Sequence, residues 1–121
     1  MEKIVSIRGA VTVKENSVKE IKNAVTQLLN DIFTQNSIRE EKVINIIFTV
    51  TDDLDALNPA TVTREEIKID SIPMLCVQEM KVKDGLPRCI RVMVQIYASL
   101  KKEQIKHIYL GDAVNLRPDL K

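Results

Sequence analysis

The chain has 121 residues, 45% of them hydrophobic, which fits one globular domain of about 100–150 residues. Eighteen Lys and Arg against 17 Asp and Glu leave a formal charge of +1, too little for a protein that binds nucleic acid through its phosphate backbone. Aromatic residues are only 3% and tryptophan is absent, so a stacking platform for single strands is not expected either. Residues 1–6 lack the apolar region and cleavage site of a signal peptide, and no apolar run approaches the ~18 residues of a membrane span. A cytoplasmic protein without membrane or nucleic-acid partners is expected.

Residues 3–8 alternate as a short strand, ended by Gly9, whose backbone reaches conformations other residues avoid. Ser17-Val18-Lys19-Glu20 has the form of a capping box and predicts a helix from there to about Gln35. Val18, Ile21, Val25, Leu28 and Ile32 fall on one stripe of it, a core-facing surface too short for a coiled coil. Residues 43–50, rich in β-branched side chains, read as a mostly buried strand. Thr51-Asp52-Asp53-Leu54-Asp55 reads as a solvated turn; it lacks the glycine and distal glutamate of an EF-hand calcium loop. Asn58-Pro59 caps and starts a short helix through Glu66. Residues 73–80 and 88–97 read as two strands of a hairpin around the Asp84-Gly85 turn. A charged connector over 101–106, a short strand over 107–110 and a C-terminal tail over 112–121, expected to be mobile, complete a single domain. The expected fold is α+β, a mixed sheet packed on one long amphipathic helix plus a short one.

Arg91 lies in the most apolar stretch, Cys89-Ile90-Arg91-Val92-Met93-Val94. An unpaired guanidinium buried there would cost several kcal/mol, on the order of the desolvation penalty of an ion. It therefore needs an anion, unless it lies on a wet strand face. Glu79 is the simplest internal partner, and a bound anionic ligand is the other. Alternation puts Cys89, Arg91, Met93, Gln95 and Tyr97 on one side and Ile90, Val92, Val94 and Ile96 on the other. Both sides look covered, one helix cannot cover both, and oligomerisation is the economical answer. Cys76 and Glu79 differ in parity, so a regular strand cannot aim both into one pocket. The two cysteines lack metal-type spacing and read as free thiols. His107 is the single histidine, which argues against a metal site or a Ser/His/Asp triad, and it reads as structural or exposed.

Ile7-Arg8-Gly9-Ala10, Pro59-Ala60 with Arg64, Cys76-Val77-Gln78-Glu79-Met80, Gly85-Leu86, Arg88-Cys89-Ile90-Arg91-Val92-Met93, His107-Ile108-Tyr109-Leu110 and Leu116-Arg117-Pro118-Asp119-Leu120 together resemble the monofunctional bacterial chorismate mutases of the trimeric, barrel-like class. Each piece is weak alone; their common order and intervals are specific and span essentially the whole chain. The resemblance implies a homotrimer forming a pseudo-α/β barrel, with active sites in the clefts between subunits. The implied reaction is the rearrangement of chorismate, a dicarboxylate, to prephenate, with no cofactor and no metal. Arg91 and Glu79 are the implied catalytic residues, Arg91 reaching a carboxylate and the ether oxygen and Glu79 accepting from the ring hydroxyl. Arg8 and Tyr109 would hold a carboxylate, and Cys76 would contact the ring hydroxyl. Arg64, Met74, Leu75, Val77, Gln78, Leu116 and Arg117 match positions that line or close the pocket. Asn58, Thr61 and Leu75 stand where better-known members carry an aromatic residue, a lysine and a threonine. A trimeric enamine or imine deaminase and a non-catalytic dicarboxylate-binding trimer are the alternatives; the order of the Cys and Arg motifs fits the deaminase poorly.

Overall fold

A computed structural model of the protein describes residues 1–116. In chain order it contains β1 (Lys3–Thr12), α1 (Val18–Gln35), β2 (Val43–Val50), α2 (Pro59–Val62), β3 (Met74–Gln78), β4 (Cys89–Ala98) and β5 (Ile108–Leu110). A single π turn, Thr63–Ile67, extends α2, and 3-10 turns lie at Glu40–Lys42, Lys102–Gln104 and Gly111–Asn115. The five strands form one mixed sheet in the order β3-β2-β4-β1-β5. β4 runs antiparallel to both β1 and β2, whereas β3 is parallel to β2 and β5 is parallel to β1. The architecture is α+β, as the element pattern predicts.

The Ser17 half of the expected capping box is present: its Oγ accepts the Glu20 N–H at 3.2 Å. The apolar stripe of α1 is buried through Ile21, Val25, Leu28, Leu29 and Ile32, while Val18 stays exposed. These residues pack on one face of the sheet, formed by Val5, Ile7 and Val11 of β1, Ile46 and Phe48 of β2 and Ile90, Val92, Val94 and Ile96 of β4. Each such aliphatic side chain contributes about 1.5–3 kcal/mol on full burial, so this face holds the fold together.

Two expectations are corrected. Residues 73–80 and 88–97 do not form a hairpin, because β2 lies between β3 and β4. The turn itself is real, with Gly85 N–H bonded to Val82 O at 2.9 Å and Asp84 at φ 63°. A tight turn reverses the chain without deciding which strand it then pairs with, and β3 gains its ladder from β2 through a parallel crossover containing α2. Nor does β1 stop at Gly9; it runs on to Thr12. The glycine is there for room: a Cβ would stand 2.8 Å from Ile32 Cδ1 and 3.1 Å from Ile108 O.

Among the described residues no α-helix lies across the other face of the sheet. That face presents Ile47, Leu75, Val77, Met93 and Tyr97, all at least a third exposed. A polar row crosses it, Asn45 Nδ2 donating to Gln95 Oε1 at 3.0 Å and Gln95 Nε2 donating to Ser6 Oγ at 3.2 Å. No helix among the described residues is long and apolar enough to cross a membrane.

Candidate active site

Arg91 stands on this open face, in register with Thr49 of β2 and Ala10 of β1. Strand alternation places Arg8 and Arg91 on the same side of the sheet. A cleft of about 360 Å³ is lined by Arg8, Ile47, Thr49, Glu79, Arg91, Val92 and Met93. A second hollow of about 360 Å³ shares Glu79 and Arg91 and extends over Thr51, Asp52, Asp53, Leu86 and Pro87. The arginine and the glutamate thus form the ridge common to both.

Glu79 follows the end of β3, its N–H bonded to Val50 O at 2.7 Å. Its Oε1 accepts from Thr49 Oγ1 at 2.6 Å and lies 3.4 Å from Arg91 Nε. Both side chains are 29% exposed. The internal ion pair anticipated from the sequence is therefore present. It is incomplete: Arg91 Nε is buried and makes no hydrogen bond among the described residues. The contact is close enough for Coulombic attraction but misaligned for a hydrogen bond, so the guanidinium keeps donor capacity for something else.

Tyr109 is in register with Ala10 and buried, packed with Ala10, Cys89, Ala113, Leu86 and Leu116. Its hydroxyl is buried without a hydrogen-bond partner among the described residues. Burial pushes the Cys89 thiol up, against the nearby Arg91 charge, and also pushes up the half-buried Cys76 thiol. Neither has the character of an activated thiolate.

The start of β4 is pinned from the turn after β2. Thr51 Oγ1 accepts the Cys89 N–H at 3.0 Å and donates to Asp53 Oδ1 at 2.5 Å. Asp53 Oδ2 accepts the Arg88 N–H at 2.9 Å, and Arg88 Nε donates to Val13 O at 3.1 Å. Arg88 has φ 47°, a left-handed conformation that is costly for a residue with a Cβ. Burial alone would raise the Asp53 carboxyl, but the bonds from Thr51 and Arg88 outweigh it and hold it below its ordinary value. The turn read as merely solvated therefore fixes the backbone three residues before Arg91.

The remaining candidates divide between the two sides of β3. Leu75 and Val77 point to the open face and are exposed, whereas Met74 and Cys76 pack on the helix-side core. Cys76 and Glu79 are on opposite sides, as their parity requires. Exposed Gln78 pairs in register with Val50, and Arg64 is exposed beyond α2, with Nη2 3.4 Å from Thr61 Oγ1. Arg8, Glu79, Arg91 and Tyr109 are thus brought together, while Arg64, Met74 and Cys76 lie elsewhere on the same chain. Leu116 packs under Tyr109; Arg117 lies outside the described residues.

His107 is structural, one of the two readings the sequence leaves open: its Nδ1 accepts the backbone N–H of Arg8 at 2.9 Å. Its position just ahead of the strand over 108–110 is the only signal the sequence offers of this. Among the described residues no group of three or more His, Cys, Asp or Glu could hold a metal ion.

Arg8, Glu79 and Arg91 line an open, largely apolar cleft, with Tyr109 buried nearby on β5, and the two guanidinium groups give that cleft donors suited to an anion. The chain matches the family model "Chorismate mutase type I" over residues 4–120. It is 41% identical over 114 residues to chorismate mutase AroH of Bacillus subtilis (strain 168), covering 94% of this chain and 90% of that protein. It is 39% identical over 115 residues to chorismate mutase AroH of Thermus thermophilus, covering 94% and 93%. A solved chorismate mutase structure from Clostridium thermocellum superposes with a TM-score of 0.87 at 40% identity, over 90% of this chain and 96% of that one. The chain belongs to the type I chorismate mutase family. It is accordingly an isomerase of aromatic amino-acid biosynthesis that converts chorismate to prephenate.

Proposed function

We propose that Arg91 carries the chemical step of this rearrangement by electrostatic stabilisation, in a pocket completed by a neighbouring copy of the chain. In chorismate a carbon–oxygen ether bond breaks while a carbon–carbon bond forms within the same molecule. Electrons move around a ring of atoms, and no proton, nucleophile or oxidant has to be supplied. What a protein can contribute is the compact shape of the substrate and a charge placed where charge develops. The ether oxygen gains negative character as its bond lengthens, so a fixed cation beside it favours the transition state over the ground state.

The observation that carries this reading is the buried, unbonded Nε of Arg91 on an open cleft. A permanently charged fork with spare donors suits a carboxylate and an ether oxygen together. Glu79, oriented by the Thr49 hydroxyl, accepts from the ring hydroxyl of the substrate. Arg8 and the unpaired hydroxyl of Tyr109 hold a carboxylate. Cys76 contacts the ring hydroxyl from the other wall, beside Arg64, Met74 and Gln78, while Leu75 and Val77 lie on the open-face side of β3 and Leu116 closes the pocket.

The two walls are on different sides of β3 in one chain, which supports a homotrimer, a pseudo-α/β barrel, in which one subunit's Arg64 and Cys76 wall faces the next subunit's Arg91 wall. The uncovered apolar sheet face supports the same assembly. The free thiols of Cys76 and Cys89 suit a reducing cytoplasm.

The test is chorismate loss and prephenate formation in metal-free buffer, followed by subunit complementation. Arg91→Gln and Arg64→Ala proteins, each weakly active, are mixed, unfolded and refolded together. In a closed ring where each site draws one wall from each neighbour, about a quarter of the sites regain both intact walls. Activity no higher than the average of the parents would refute the shared pocket.

A further inference from the structure

We propose that His107 is a positioning residue for Arg8, a reading that rests on the carboxylate-binding role of Arg8 given above. The parallel ladder between β1 and β5 begins only at Gly9 and Ile108. The carbonyl two residues back along the connector, Lys106 O, is already taken, accepting from Asn36 Nδ2 at 2.8 Å, while the Lys106 N–H donates to Asn36 Oδ1 at 2.8 Å. Asn36 is the buried C-cap of α1, and its amide also donates to Ile32 O at 3.0 Å. The connector is thus drawn onto the end of the helix. The N–H of Arg8 points toward the β5 side at a place where no strand carbonyl meets it, and His107 Nδ1 accepts it at 2.9 Å. An imidazole nitrogen can accept only when unprotonated, so this bond requires the tautomer with its proton on Nε2, or an equivalent neutral acceptor in that place.

The consequence is specific to one binding group. Arg91 sits on β4, which is paired on both sides by β1 and β2, and it gains nothing directly from His107. Arg8 is held on the other side by its register with Met93, so loss of the imidazole leaves β1 in place but frees its backbone exactly one residue from the first β5 contact. The guanidinium of Arg8 then samples a wider range in the cleft. Binding weakens, and the step carried by Arg91 does not.

Steady-state kinetics on His107→Ala, His107→Asn, Arg8→Ala and the Arg8→Ala/His107→Ala double variant test this. His107→Ala is expected to raise KM about five- to tenfold, the effect of losing one hydrogen bond that orders a binding group, with kcat within about twofold of the parent. His107→Asn, whose amide oxygen reaches the place of Nδ1, restores KM. In the Arg8→Ala background His107→Ala adds no further increase, because it acts through that residue. If the alanine variant fails to fold, His107→Gln, whose amide reaches the Nε2 position instead, takes its place with the same expected rise. An increase that persists undiminished without Arg8, or an unchanged KM in His107→Ala alongside a raised KM in Arg8→Ala, overturns the proposal alone. An unchanged KM in Arg8→Ala overturns the carboxylate role of Arg8 and the proposal with it.

Discussion

Replacing Arg91 by glutamine removes a charge while keeping an amide donor near the same place. The distance from Arg91 Nε to the Glu79 oxygen, 3.4 Å, gives the scale on which this side chain meets an oxygen in the cleft. If the ether oxygen gains about half a charge at such a distance, an effective dielectric constant near 20 gives roughly 2.5 kcal/mol of differential stabilisation, or on the order of 60- to 100-fold in rate. Exclusion of water by a bound substrate, and by the neighbouring subunit of the proposed assembly, would strengthen the field, toward the ~10²–10³-fold loss seen when an oxyanion donor is removed. Stability should hardly move. The Arg91–Glu79 pair is partly exposed and misaligned, and pairs of that kind contribute about 0–1 kcal/mol, while Glu79 keeps its bond from Thr49. The assay is initial rates across chorismate concentrations, paired with urea denaturation of the same preparations. A kcat unchanged within twofold, with only KM raised, would refute the transition-state role. So would a lost activity fully explained by loss of folded protein.

Two further outcomes follow from the packing and the turn. Gly9→Ala places a Cβ against Ile32, Leu28 and the Ile108 carbonyl and should destabilise by about 1–3 kcal/mol through overpacking; an unchanged urea midpoint would show that α1 and β5 can give way. Asp53 is held below its ordinary pKa in the folded state, so its contribution to stability is fully present above the unfolded value of about 3.9 and is lost as pH falls through the lower folded value. Comparing denaturation of the parent with Asp53→Asn from neutral pH into that acidic range should show the parent's advantage shrinking as acid is added, and an advantage independent of pH would sink the clamp.

Much of the element order was legible because it rests on local patterns. The α1 stripe and its Ser17 cap, the β-branched run of β2 and the alternation around Arg91 each report a burial that one segment undergoes by itself. The parity of Cys76 and Glu79 was equally readable, since it puts the two side chains on opposite sides of β3. Strand partnership was not legible. Asp84-Gly85 is a genuine turn, but pairing depends on which edge is free when the chain returns, and β2 had already taken the place beside β4 that a hairpin would use. Gly9 misled for a related reason: a glycine in a strand can signal a break or a close approach, and only the neighbouring Ile32 distinguishes them. The roles of Asp53 and His107 lay beyond sequence reading because each bonds to a backbone N–H far away in the chain, and a backbone donor has no residue identity to recognise.

The strand order has a consequence for how the protein is made. β1 precedes the other described strands in the chain, yet among the described residues its partners in the sheet are β4 and β5, which follow all the rest. Until residues 89–98 are available, the N-terminal strand can pair with nothing it will eventually keep, while β2, α2 and β3 form a unit without it. Such long-range closure is slow relative to local structure formation. A nascent chain therefore carries Arg8 on a strand without its sheet partners until residues 89–98 have emerged, and the cleft beside Arg91 cannot form before then.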